Sequence, residues 1–418
     1  MKFLRLDNYE NYKPAYSPID KLDGEAIATE LDQYVAWAHH SAALPGITAA
    51  GKDFLLYKNI RMFEETLTSY KPEYCLRNIN GEIVKSKSNQ GSLKLTDPLN
   101  TAYRTYLKNW FQKYQDEGYQ GIWHDNGVEV QVFDPWFYDS HPVDPRTGEL
   151  YDNDQFVVDC LDLANWLANE FPDMKHQANG FWNGHRYTQV QSGFDYVIAN
   201  CELDGLFSEG MWGNIYGVLE SGTKWKQSVD FLKVIQTDWL TKGKQFTIYS
   251  NAGGADTREQ NSGVGIIGHE QSTLFMYASI LLAVSEEGNI VSFHNAMSHQ
   301  YTKDMMALPV GEPEGDYYPD GNGYMREWTG ATIRVNPRTS VETVGGIELQ
   351  PLSGHIELKE IQEQMSFEYE NKETTPQKLE IGKDEVVVTF IPRETVTVEV
   401  DAKVVITLQD GERVRGVE

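Results

Sequence analysis

The chain reads as an α/β protein: a (β/α)8 barrel of the TIM type over residues 1–324, followed by antiparallel, β-sandwich-like C-terminal modules. Three observations predict this. Short apolar runs alternate with helical patterns as far as about residue 295, which is how βα units around a parallel sheet read. There are eight such runs, the number that closes a barrel. After about residue 325 the helical period vanishes, and period-two alternation with turn pairs takes over.

The eight strands are expected near Phe3–Leu6, Tyr34–Ala38, Phe54–Tyr57, Gly121–His124, His176–Ala178, Gly205–Phe207, Phe246–Tyr249 and Ile290–Phe293. Asp97-Pro98 is expected to open a helix as N-cap and first residue, with Tyr103, Leu107, Trp110, Phe111 and Tyr114 at helical spacing. Phe156, Cys160, Leu163 and Leu167 mark a second helix, and Trp225, Val229, Leu232 and Ile235 a third. Leu274, Phe275, Ala278, Leu281 and Leu282 mark a nearly all-apolar helix, as for one packed tightly on a barrel. Residues 127–154 form a long insertion rich in Asp, Pro and aromatics, and a loop of that length inside a compact domain is usually functional. Beyond the barrel, residues 325–362 read as a small antiparallel module. Residues 363–418 read as a C-terminal β domain, with strands at Val386–Phe390, Val396–Val400 and Val404–Leu408 and a role in anchoring or assembly.

The net charge of −26 repels nucleic acid and anionic membranes at long range, so neither is expected as a partner. Ten Trp and 23 Tyr supply flat apolar faces of the kind that stack on sugar rings, though large barrels also pack with them. Cys75, Cys160 and Cys201 are widely spaced and odd in number, which argues against a disulfide framework or a zinc site. The N-terminus, Met1-Lys2-Phe3-Leu4-Arg5-Leu6-Asp7-Asn8, has no apolar stretch of signal-peptide length, and no run is long enough to span a bilayer. Synthesis in the cytoplasm is expected, with an extracellular or virion-associated destination left open.

The active site of such a barrel lies where the C-terminal strand ends converge. After strand four the chain reads Trp123-His124-Asp125-Asn126-Gly127, and after strand five Asn179-Gly180-Phe181-Trp182-Asn183-Gly184. After strand six it reads Ser208-Glu209-Gly210-Met211-Trp212, after strand seven Ser250-Asn251, and after strand eight His294-Asn295. Two carboxylates at two strand ends, Asp125 and Glu209, are what glycoside hydrolysis requires: one nucleophile or base, one proton donor. Tyr57, Trp123, His124, Asn126, Asn179, Trp182, Asn183, Trp212, Asn251 and His294 are the expected substrate contacts. Asn suits sugar hydroxyls because it both donates and accepts. Asp-Asn-Gly is also a common turn, and a strand-end His such as His124 or His294 more often only hydrogen-bonds the backbone than shuttles a proton. No GxSxG, GxxxxGK[ST] or HExxH motif is present, and no cofactor is needed. Asp134, His141, Asp144 and Asp152 match no calcium loop and are expected to be solvated, so no metal site is expected.

These residues resemble a family. Leu55-Leu56-Tyr57-Lys58-Asn59, Gly121-Ile122-Trp123-His124-Asp125-Asn126, Ala178-Asn179-Gly180 and Asp204-Gly205-Leu206-Phe207-Ser208-Glu209-Gly210 follow one another as in TIM-barrel glycoside hydrolases labelled hypothetical glycoside hydrolase family 15. The stretch from Tyr324 to Pro337 fits the same pattern, and the resemblance covers roughly residues 50–360. It implies Asp125 and Glu209 as catalytic acids. A looser resemblance to the α-galactosidase-like clan implies Asp125 as nucleophile and Glu209 as acid/base, although that clan carries Asp at the second position.

The expected function is therefore an O-glycosyl hydrolase acting on a polysaccharide. The competing expectation is a glycan-binding structural or attachment protein, such as a phage tail or cell-surface component. It would be a homo-oligomer or part of a larger assembly through its C-terminal β domain.

Overall fold

The computed structural model describes residues 43–65, 67–87, 93–128, 138–212, 219–250, 269–284, 305 and 308–359. It adds the backbone of strands at 2–8, 33–36 and 290–295 and of five strands between 363 and 406; Glu209, Tyr249, Ser250, His269 and Glu270 are also described by backbone alone.

Eight parallel strands close a barrel: β1 (Lys2–Asn8), β2 (Gln33–Ala36), β3 (Asp53–Asn59), β4 (Gly121–Asp125), β5 (Lys175–Asn179), β6 (Gly205–Glu209), β7 (Gln245–Ser250) and β8 (Ile290–Asn295). Each neighbours the next in sequence, and β8 pairs with β1. All eight runs singled out in the sequence are barrel strands.

The helices are α1 (Leu44–Ala49), α2 (Thr101–Asp116), α3 (Asn153–Glu170), α4 (Gly184–Tyr187), α5 (Gln191–Asn200), α6 (Gly222–Asp238) and α7 (His269–Ala283). α2 buries Tyr103, Leu107 and Phe111 at the spacing expected of one face. Its start differs from the expectation. Asn100 is the N-cap, its side chain accepting from the Tyr103 backbone N–H, while Asp97 Oδ1 accepts from the Leu99 N–H in the turn before. Two Asx residues lie three apart, and the one nearer the helix takes the cap. Asp152 caps α3 in the same way, through the Gln155 N–H.

Two long excursions leave the C-terminal ends of β3 and β4. Residues 60–100 carry an antiparallel pair, Met62–Glu64 with Leu93–Leu95, and are not evident in the sequence as an insertion. The second runs from Asn126 to Asp152. Lys85 N–H donates to Asp139 Oδ1 at 2.9 Å, Asp139 N–H to Lys85 O at 3.0 Å, and Val143 N–H to Arg77 O at 2.8 Å, so the two excursions hold each other. The second is also pinned to α3 by charge. Arg146 donates to Asp144 and, at 2.6 Å, to buried Asp159, which accepts Tyr151 Oη at 2.5 Å as well. Asp144 is thus a buried partner of Arg146 and not a solvated acid; the hydrogen bond from Arg146 holds its carboxyl below the usual range. His141 Nε2 donates to Tyr151 O, and Asp134 lies outside the described residues.

The chain divides into two compact units. The first comprises residues 1–308, 312–328 and 333–356. Beside the barrel it contains most of a four-stranded sheet in the order β9 (Tyr318–Asp320), β10 (Gly323–Trp328), β11 (Ala331–Asn336) and β12 (Ser353–Leu358). Arg326 and Trp328 of β10 cap the end of α7. The guanidinium donates to the Leu281 and Leu282 carbonyls at 3.1 Å and the indole to Leu281 O at 3.2 Å, satisfying groups that a helix end leaves open. The second unit comprises residues 309–311, 329–332 and 357–418. Its backbone forms two small sheets: Glu363–Phe367 antiparallel to Val396–Val400, and Glu385–Thr389 between Lys378–Ile381 and Lys403–Ile406.

Asp159→Ala would remove the buried acceptor of the Tyr151 hydroxyl and leave Arg146 with Asp144 as its carboxylate partner. The expected loss, about 1–3 kcal/mol in urea denaturation, should come with faster proteolysis within 138–152.

Candidate active site

Residues of one strand face alternately into the barrel and out against the helices. On β4 this puts Trp123 and Asp125 on one face and His124 on the other. Trp123 packs against Leu55 and Phe207, its ring edge-on to Phe207 at 4.9 Å, with Tyr57 beside it. It is a buried layer beneath the strand ends, not an open stacking face.

Asp125, at the end of β4, is half-buried and takes donors from the two neighbouring strands and its own turn. Oδ2 accepts from Tyr57 Oη at 2.5 Å and from the side-chain amides of Asn59 and Asn126 at 3.0 Å. Oδ1 accepts from Asn179 Nδ2 at 3.0 Å. Two of the amides can point only one way. Asn59 Oδ1 accepts the backbone N–H groups of Arg61 and Met62, and Asn179 Oδ1 accepts that of Gly180, so the NH2 end of each must face the carboxylate. Gly180 has φ +111°, a conformation that lets the chain turn directly after Asn179. Asn126 occupies the left-handed region at φ +54°, which Asn tolerates.

Burial raises the Asp125 carboxyl above the ordinary range. The hydrogen bonds from Tyr57 and Asn179 and the charge of Arg61 act in the opposite direction. With three donors on Oδ2 and one on Oδ1, Oδ1 is the less engaged oxygen.

Tyr57, Asn126 and Asn179 therefore converge on Asp125, and Trp182 is half-buried beyond β5. Three other expectations need correcting. His124 is fully buried between barrel and helices, stacked on Phe111 and bonded to His176 at 2.8 Å, because its parity on β4 is opposite to that of Asp125. Trp212 is fully buried and presents no face. Asn183 spends its amide on protein: its oxygen caps α4 through Arg186 N–H, and its nitrogen donates to Gly210 O and Glu220. Glu209 ends β6, two residues beyond Phe207, which pairs with Asn179. The side chains of Glu209 and His294, and all of Asn251, lie outside the described residues. Asn59 and Arg61 do not stand out in the sequence as site residues. The available signal for Asn59 was parity, since it follows Tyr57 by two at the end of a strand.

The imidazole pair orders itself. His176 Nε2 donates to Phe171 O at 3.0 Å, so its Nδ1 accepts from His124 Nε2. Burial holds both rings below their ordinary value of 6.5 and so favours their neutral forms. Among the described residues no group of three or more His, Cys, Asp and Glu could hold a metal ion.

No protein-family model matches the chain, and no curated protein matches it. Solved structures similar to it include the glycoside hydrolase domain of PelA from Pseudomonas aeruginosa, 11% identical, covering 60% of this chain and 85% of that one with a TM-score of 0.39. A maltogenic alpha-amylase, AmyB from Thermotoga neapolitana, is 10% identical over 80% of this chain and 85% of that one, with a TM-score of 0.44. Amy13B from Eubacterium rectale is 11% identical over 86% and 96%, with a TM-score of 0.48. At these scores the likeness adds nothing to what the strand pairing establishes, and membership of family 15 or of the α-galactosidase-like clan is not shown.

Two measurements probe this geometry. Tyr57→Phe removes a donor to the ionised carboxylate, so the Asp125 pKa should rise by about one unit in a carbon-detected NMR titration. The neutral histidine pair has folded pKa values below the unfolded one, so its contribution is present above about 6.5 and is lost as pH falls below it. His124→Phe should flatten the fall of Tm with acidification in that window.

Proposed function

We propose that this chain is a glycoside hydrolase that cleaves O-glycosidic bonds of a polysaccharide, with Asp125 and Glu209 as its carboxylate pair. The observation that carries the reading is the setting of Asp125: a half-buried carboxylate at the C-terminal end of a barrel strand, aimed by Tyr57, Asn59, Asn126 and Asn179. An acid serving only as a turn residue needs no such cradle. The four donors hold the anion against desolvation and fix its plane, while the less engaged Oδ1 is the oxygen available to a reacting carbon or water.

In this reading Asp125 acts as nucleophile or base, and Glu209, ending a strand at the same rim, protonates the leaving oxygen. If the two carboxyls stand roughly 5–5.5 Å apart, Asp125 attacks the anomeric carbon and a glycosyl ester forms; at about 6.5–9.5 Å a water fits between and configuration inverts. Trp182 and the 127–154 excursion would line the sugar cleft. No cofactor enters this chemistry.

The test is reducing-end release from a panel of bacterial and plant polysaccharides. Asp125→Asn and Glu209→Gln should each reduce kcat by at least about 100-fold with the fold intact by circular dichroism. Unchanged activity in either variant removes that residue from the mechanism. If folded wild-type protein releases nothing, the barrel is a glycan-binding or structural one.

A further inference from the structure

We propose that Glu220 is a positioning residue for the end of β6: acting through Asn183, its carboxylate holds the backbone that directly follows Glu209. The catalytic consequence of this rests on the hydrolase reading; the structural linkage does not.

The linkage is built from bonds with one allowed direction. Asn183 Oδ1 accepts from Arg186 N–H at 3.1 Å, which turns its NH2 group toward two acceptors. These are Gly210 O at 3.3 Å, one residue past Glu209, and Glu220 Oε1 at 3.0 Å. Glu220 Oε2 accepts from Ser228 Oγ of α6 at 3.3 Å, and Ser228 Oγ in turn accepts from Gly184 N–H at 3.2 Å. The Glu220 backbone N–H returns to Trp212 O. Glu220 thus lies where the exits of β5 and β6 meet the first turns of α6. Gly210 itself has φ +88°, so the turn it makes after Glu209 is one that few residues could adopt.

This acid is a poor choice if only packing is at stake. Burial pushes it up to about 7, with the charges of Lys224 on α6 and Arg186 on α4 and the bonds from Ser228 and Asn183 partly opposing. Its folded pKa exceeds its unfolded one, so the fold loses stability as pH rises from about 4.5 to about 7. Glutamine would keep the shape without that loss. What the carboxylate adds is a charge-assisted bond to Asn183, stronger than a neutral one, which is complete only when Glu220 is ionised.

The test is hydrogen exchange by mass spectrometry on the full chain between pH 5.5 and 8.5, corrected for intrinsic rates, in peptides covering 205–212. In the wild type, the local opening of 205–212 that breaks the Asn183 link while Glu220 stays buried removes a bond that lowers the Glu220 pKa, so protection against that opening should rise about fivefold as pH passes through about 7. It should be flat in Glu220→Gln. It should also be flat in Asn183→Ala, where Glu220 still ionises but the link is gone. A wild-type profile without this rise, or one that persists in Glu220→Gln, overturns the proposal. With a cleavable glycan, kcat should lose its acid limb near 7 in Glu220→Gln while KM stays unchanged. If the wild type cleaves no glycan, the hydrolase reading fails and exchange alone decides the linkage.

Discussion

A strand in a closed barrel has two faces and no free edge, so every residue of β4 goes either into the barrel or against the helices. That constraint sorts the chemistry of this chain. Trp123 and Asp125 share the inner face and His124 takes the outer one, where it must find a partner for its ring without water and does so in His176. On β3 the same rule sends Tyr57 and Asn59 to Asp125 and leaves Lys58 on the other side, 4.9 Å from the Trp110 ring and 5.4 Å from that of Tyr106. Burial there pulls the Lys58 amine down to about 8.

Polar groups at the inner rim are held by the backbone. Asn59 and Asn179 each use an amide oxygen on main-chain N–H groups, and this leaves their nitrogens no orientation except toward Asp125. Preorganisation of this kind needs rigid supports, and both residues stand on strands. Arg61 adds positive charge nearby from a buried position at the start of the first excursion.

The two excursions are held differently. The first buries an apolar cluster of its own, with Phe63, Tyr74, Leu76, Val84 and Leu95, and the two are bonded to each other and to α3. The Asp144–Arg146–Asp159 network holds the base of the second excursion, and the Lys85–Asp139 exchange joins it to the first. Charges that look solvated in a string of residues are here the fastening.

The sequence by itself determined the barrel. Eight apolar runs spaced by helical patterns leave little else to build, and all eight are strands, because a buried parallel strand must be apolar whatever surrounds it. It also determined that Asp125 and Glu209 end strands on one rim. Only the tertiary structure decided which flanking residues serve Asp125. Face parity depends on where a strand begins, and boundaries are the least legible feature of a sequence, so His124 and Trp123 read as site residues while Asn59 did not. The cap of α2 was settled by the competition between Asp97 and Asn100, which only the path of the chain resolves. Asn183 was diverted to Gly210 and Glu220 by elements that meet through folding, and no local pattern encodes such a meeting.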